Sequence, residues 1–157
     1  MLKKTLTVLA TVALLGTACS SSDDNDATAD VVATAEATQT ALVEAFLSSD
    51  SSGTLELYTD DVGFEDPMIG TSTTGTSAMA TQASTVFPWT DTEQTVVLDR
   101  FVSADGTSGV VVYRWVGTNA VGPFDLTMVQ IHEYDDGLLA HLTNYYGDRD
   151  AAEQFGP

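Results

Sequence analysis

Lysine is missing from this chain beyond its first four residues, where Lys3 and Lys4 stand alone. From Cys19 onward the only bases are Arg100, Arg114 and Arg149. They face 23 acidic residues, so that segment carries a formal charge of −20, against −18 for the whole chain. So negative a surface repels phosphate backbones and gains nothing from counterion release, which excludes nucleic acid as a partner. Anionic headgroups repel it too, so any membrane attachment must be covalent or apolar. A self-repelling field of this strength is tolerable where salt screens it. Cysteine is nearly absent as well. With Cys19 alone there is no internal disulfide, and the domain must rest on its core. Two histidines, His132 and His141, lack the spacing of zinc ligands. There is no Gly-rich phosphate loop, no Gly-x-Ser-x-Gly elbow and no cysteine nucleophile, so neither a metal nor a cofactor is implied.

What remains is a 157-residue chain with 43% hydrophobic residues. That length suits one domain, and that composition argues against wholesale disorder. Residues 1–19 read MLKKTLTVLATVALLGTAC. Two lysines, an apolar run from Leu6 to Leu15 and a small-residue end form the pattern of a secretory signal, too short to span a bilayer. The end, Leu15-Gly16-Thr17-Ala18-Cys19, resembles a bacterial lipoprotein box, although Gly16 stands where leucine is usual. Residues 1–18 are therefore expected to be a lipoprotein signal peptide, with Cys19 as the lipidation site. An ordinary secretory signal with a stray cysteine is the alternative. The Ser/Asp-rich stretch 19–30 has nothing to bury and is expected to be a tether, leaving 31–157 as the domain.

From about Asp30, a plausible N-cap, apolar residues recur at helical spacing through Phe46 and Leu47. A short second helix is expected over Thr54–Tyr58, a strand over Val62–Asp66, a loop over Gly70–Gly75 and a helix through Ala78–Val86. The second half changes period: Thr95–Val102, Gly109–Gly117, Phe124–Tyr134 and Leu138–Tyr146 read as strands joined by turns. Asp105-Gly106 and Asp136-Gly137 supply the positive φ that hairpin turns need. Helices first and a four-stranded antiparallel meander after make an α+β pattern.

Four segments carry a family resemblance. They are Phe46-Leu47-Ser48-Ser49-Asp50, then Leu57 to Pro67 with its Glu65-Asp66-Pro67 end, then Thr74-Gly75-Thr76-Ser77-Ala78-Met79. The last runs from Ile131-His132-Glu133 through Asp136-Gly137 to Asn144-Tyr145-Tyr146. In order and spacing they resemble the nuclear transport factor two-like fold, in its SnoaL-like or ketosteroid isomerase branch, over about residues 33–156. The resemblance implies a cone-shaped α+β fold, with N-terminal helices packed on a strongly bent antiparallel sheet enclosing a pocket. That fold hosts isomerases, cyclases, hydrolases and plain binders, so function must be argued from the site.

The resemblance places Asp66 at the general base of ketosteroid isomerases. A carboxylate at an apolar pocket has its charged form disfavoured, which raises its basicity. Asp before Pro also caps turns, so a structural role stands beside the catalytic one. The isomerase tyrosine on the first helix aligns with Leu42, which donates no hydrogen bond, and the second acid aligns with Gln130. Steroid isomerisation by the same apparatus is therefore not expected. Limonene epoxide hydrolases carry aspartate at the place of Asn144 and an Arg-x-Asp pair elsewhere; here Leu98-Asp99-Arg100-Phe101 has the wrong order, which excludes epoxide opening.

Pairing Tyr134 with Leu138 across the Asp135-Asp136-Gly137 turn puts Met128, Gln130 and His132 on one face with Ala140, Leu142 and Asn144. His132 could carry protons, or sit in the core bonded to Asp66 or a backbone carbonyl. His141, of opposite parity, should face solvent or pack under a helix. Tyr58 and Tyr146 could line the cavity. The expectation is an extracytoplasmic, lipid-anchored domain holding a small apolar organic molecule. Asp66 and His132 are the catalytic candidates for isomerase, cyclase or lyase chemistry; Tyr58, Met128, Gln130, Asn144 and Tyr146 are the ligand-binding ones. A non-catalytic binding lipoprotein and a module that homodimerises through the outer sheet face are the alternatives.

Overall fold

The computed structural model describes residues 23–147. The leader and Cys19 lie outside the described residues. Helix α1 (Asp23–Leu47) begins before the expected Asp30 cap and runs back into the acidic stretch read as a tether. Its buried residues Ala35, Thr38, Gln39, Leu42, Val43 and Phe46 fall three and four apart, one stripe facing the sheet. The helix ends where Ser49 turns left-handed, with φ 56°. The Asp50 and Ser49 amides bond the carbonyls of Ala45 and Phe46, a Schellman closure without glycine. The Ser49 hydroxyl donates to the Phe87 carbonyl at 2.9 Å and ties this helix end to a distant turn.

A 3₁₀ turn (Thr54–Leu57) leads into β1 (Tyr58–Asp66), which pairs antiparallel with β2 (Thr71–Thr74). The expected Gly70–Gly75 loop is thus mostly strand: Thr71 to Thr74 are β-branched or small and lie along β1. Helix α2 (Thr76–Val86) buries Met79 and Ala83, followed by a 3₁₀ turn, Phe87–Trp89. Then come β3 (Val96–Val102), β4 (Ser108–Thr118), β5 (Pro123–Asp135) and β6 (Leu138–Tyr146). These four strands form the expected antiparallel meander.

The whole sheet, however, is not antiparallel. Its order is β2-β1-β6-β5-β4-β3, and β1 runs parallel to β6, so the sheet is mixed. The Asp136-Gly137 hairpin forms with both residues at positive φ, 47° and 80°, as a two-residue loop requires. Its register differs from the expected one: Tyr134 pairs with Leu139 and Glu133 with His141, so Ala140 is an extra, bulged residue. The bulge restores parity farther along, where His132 opposes Leu142, Gln130 opposes Asn144 and Met128 opposes Tyr146.

Both α-helices lie on one face of the sheet. That face carries two apolar clusters. One gathers Tyr58, Val62, Phe64, Met79 and Leu139 under α1 and α2. The other is aromatic, with Trp115 at its centre: Phe124 meets it edge-on at 4.7 Å and Phe46 packs at 5.6 Å. The Trp115 indole N–H donates to the Thr90 hydroxyl at 3.0 Å, so the ring is buried without losing its hydrogen bond. The opposite face of the sheet is uncovered among the described residues and exposes Phe101, Ile131 and Tyr145.

Candidate active site

Between the two clusters lies a cavity of about 100 Å³. Leu42, Phe46, Phe64, Met79 and Trp115 supply apolar wall, and Gln82, Gln130, His132, Asn144 and Tyr146 supply polar atoms. Of the expected ligand-binding residues, Tyr58, Met128, Gln130, Asn144 and Tyr146 all line it, as does His132. Parity on β5 and β6 accounts for most of that set, because residues two apart share a face.

Asp66 is placed differently. It is 1% exposed and is not part of the cavity wall. One oxygen accepts the Ile69 amide at 3.3 Å, capping the turn after Pro67. The other accepts the Tyr146 hydroxyl at 2.7 Å. Burial raises the Asp66 carboxyl above the ordinary carboxylate range, and these hydrogen bonds oppose that rise without cancelling it. Asp66 therefore both caps a turn and holds a cavity-lining tyrosine. Tyr146 is itself pushed well above the usual phenol range, first by burial and then by the adjacent carboxylate. The Asn144 side chain also bonds the Tyr146 hydroxyl. Asn144 leaves its carbonyl oxygen enclosed without a partner.

His132 does not bond Asp66 or a backbone carbonyl. Its Nδ1 meets the Tyr134 hydroxyl at 2.9 Å, with the rings edge-on at 5.9 Å. Its Nε2 is buried without a partner. Burial lowers its pKa to about 4, so the ring is neutral at pH 7. Tyr134 and Gln39 are the polar residues that sequence reasoning missed. Tyr134 shares the parity of Met128, Gln130 and His132, and that signal was available. Gln39 sits on the buried stripe of α1, where a lone amide among apolar residues marks a buried bond. His141 faces away from the cavity and lies over Gly63, where a Cβ would come within 2.3 Å of its ring nitrogen. Among the described residues no three His, Cys, Asp or Glu side chains gather as a metal site.

Residues 40–142, well over half of the chain, match the SnoaL-like domain family. The chain belongs to the SnoaL-like family. No curated protein matches it significantly. Solved structures share the fold. A steroid delta-isomerase from Pseudomonas aeruginosa superposes with a TM-score of 0.65 at 20% identity, over 78% of this chain and 85% of that one. Bal32a, from a soil-derived mobile gene cassette, gives 0.67 at 18%, over 81% and 99%. An NTF2-like protein of unknown function from Mesorhizobium loti gives 0.64 at 18%, over 76% and 95%. At such identities the likeness establishes architecture for this SnoaL-like domain and leaves its chemistry to its own residues.

The buried imidazole has a consequence for stability. Its folded pKa of about 4 lies below the ordinary 6.5, so the unfolded chain binds the proton more readily. The stability tied to neutral His132 is fully present above about pH 6.5 and is lost as pH falls toward 4. The loss should reach on the order of 3 kcal/mol. Urea denaturation at pH 7 and pH 4 should therefore show a smaller acid loss for His132→Gln than for wild type. Equal losses in the two proteins would mean that His132 is hydrated in the folded state.

Proposed function

We propose that this SnoaL-like domain binds a small organic carbonyl compound in its cavity and moves a proton beside that carbonyl, with Asp66 as the base acting through Tyr146. What carries the reading is the Asp66–Tyr146 bond: a buried carboxylate of raised pKa is joined at 2.7 Å to a hydroxyl that lines the cavity. A substrate C–H proton passes to the Tyr146 oxygen as the Tyr146 proton passes to Asp66, leaving an enolate. Return of the proton at another carbon completes an isomerisation. Asn144, bonded to the same hydroxyl, orients Tyr146. Ligand-sized pockets usually measure roughly 300–1,000 Å³. A cavity of about 100 Å³ is too small for a steroid and suits a single ring. The alternative is a binder with the same cavity, favoured by the enclosure of Asp66 behind its hydrogen bonds.

The measurement is solvent deuterium exchange into cyclopentanone. Asp66→Asn should lower the exchange rate about 10²-fold or more, the usual contribution of a general base, while affinity changes little. Tyr146→Phe should lower it likewise. Exchange retained in Tyr146→Phe but lost in Asp66→Asn would make Asp66 the direct base; no exchange with wild type would leave the binder.

The same proposal places the domain outside the cytoplasm on a lipid anchor at Cys19, supported by the leader and the lone cysteine. Expressed in a bacterium fed labelled palmitate, the chain should take up label and Cys19→Ser should not; unlabelled wild type removes the anchor. A homodimer through the outer sheet face is supported by Phe101, Val110 and Ile131 in one cross-strand row, with Tyr145 nearby. Sedimentation equilibrium should give a dimer that Ile131→Glu converts to monomer, and a monomeric wild type rules the interface out.

A further inference from the structure

Two polar atoms on residues that line the cavity are left over by the proton-transfer reading. They are His132 Nε2 and the Asn144 carbonyl oxygen, both enclosed and both unpartnered. The side chains that carry them are 1% and 8% exposed. Buried polar atoms in folded proteins nearly always find partners, so each such exception calls for a cause.

The hydrogen-bond chain behind His132 decides what its free nitrogen offers. Gln39 reaches from the inner face of α1; its amide nitrogen donates to the Phe101 carbonyl at 3.1 Å and to the Val110 carbonyl at 3.5 Å, so both its hydrogens go to backbone. The Tyr134 hydroxyl meets His132 Nδ1 at 2.9 Å, the side-chain acceptor within reach of its proton, and donates to it. A neutral imidazole that accepts at Nδ1 carries its own proton at Nε2. The cavity thus holds one fixed donor, His132 Nε2–H. It also holds one fixed acceptor, the Asn144 oxygen, whose amide nitrogen is taken by Tyr146.

The register sets the distance between them. His132 opposes Leu142 and Asn144 opposes Gln130, so the two are diagonal neighbours on adjacent strands. Diagonal neighbours stand roughly 7–8 Å apart along the backbone. A ligand that bridges them must accept and donate from adjoining atoms. No charged side chain lines the cavity, which disfavours an ion. A cavity of about 150 Å³ holds a benzene ring, so one of about 100 Å³ suits a ring no larger than that.

We infer that His132 and Asn144 form a donor–acceptor subsite that selects a small, uncharged ring bearing a carbonyl next to its own N–H or O–H. This rests on the cavity being the ligand site and deepens that reading. The carbonyl oxygen sits on His132 Nε2–H, where enolate charge would gather, and the neighbouring donor sits on Asn144. Tyr134 is a positioning residue, since it acts through the tautomer of His132.

The test compares 2-pyrrolidinone with cyclopentanone, which keeps the five-membered ring and the carbonyl and has a methylene in place of the N–H, by titration of the full chain in detergent. The lactam should bind about tenfold tighter or more, because a site built around a hydrogen bond rejects the analogue that cannot make it. Asn144→Leu should erase that preference. Nitrogen-detected histidine spectra should show the Nε2–H tautomer and a shift of that signal with the lactam. Equal binding of the lactam and the ketone, or an Nδ1–H tautomer, overturns the subsite and leaves the cavity reading standing. If neither lactam nor cyclopentanone binds the wild type, the cavity reading falls with it.

Discussion

The site depends on the parallel pairing of β1 with β6. Phe64 lies beside Leu142 and Glu65 beside Thr143, and this places Asp66, at the end of β1, within reach of a hydroxyl 80 residues later in the chain. A parallel neighbour cannot be reached by a tight turn and needs a crossover. Here α2 and the strands β3 to β5 all lie between the two partners. The same pairing carries α2 onto the helix-bearing face, so Met79 and Ala83 complete the cavity wall. Glycine at position 63 leaves room for the His141 ring at the seam between the two strands. The apolar wall, the tyrosine and the carboxylate are therefore consequences of one long-range contact.

That contact was the least legible part of the sequence. The meander was readable because its hairpins are local: Asp136-Gly137 announces a turn, and alternation on β5 sorts Met128, Gln130, His132 and Tyr134 onto one face. The candidate ligand residues followed from parity, and Asp66 followed from the family resemblance of its Glu65-Asp66-Pro67 segment. No local signal specifies a parallel partner. The extra residue at Ala140 was equally hidden, since a bulge changes register without changing the turn chemistry. The start of α1 was missed for a different reason. An acidic, small-residue stretch reads as solvated chain by composition, yet Asp and Ala near a helix N-terminus suit its dipole and propensity. β2 was missed because Gly, Ser and Thr mark loops as often as they mark short edge strands.

Asp66 and His132 are both buried, and burial disfavours the charged form of each, so the two shifts have opposite signs. The imidazole escapes the penalty by staying neutral, and so becomes a fixed hydrogen-bonding group. The carboxylate, whose pKa is raised by burial, retains proton affinity that an exposed aspartate lacks. The sign of the linkage follows: folding favours the neutral acid, so Asp66 adds most to stability at low pH, where His132 subtracts. Perturbed carboxyls of this kind gather at functional sites, and the proton-transfer proposal draws on that tendency. The turn cap alone does not require it, because an asparagine oxygen accepts the Ile69 amide as well.

The size of the cavity is a property of side chains and not of the architecture. The steroid delta-isomerase that shares this fold has only 20% of the sequence in common, which leaves the pocket filling free to differ. In this chain Phe46, Trp115 and Met128 project into the wall from α1, β4 and β5. Trp115 is held by its bond to Thr90 and by its ring contacts, so it cannot swing aside cheaply. At the adjoining edge of the sheet the Trp89 carbonyl lies so close to Gly117 that a Cβ there would come within 2.0 Å. That contact pins the turn after α2 against β4. A larger ligand would have to displace packed aromatic rings together with that turn. The narrow cavity, the neutral histidine and the absence of charge along the wall all restrict the proposed ligand in the same direction, toward a small and uncharged molecule.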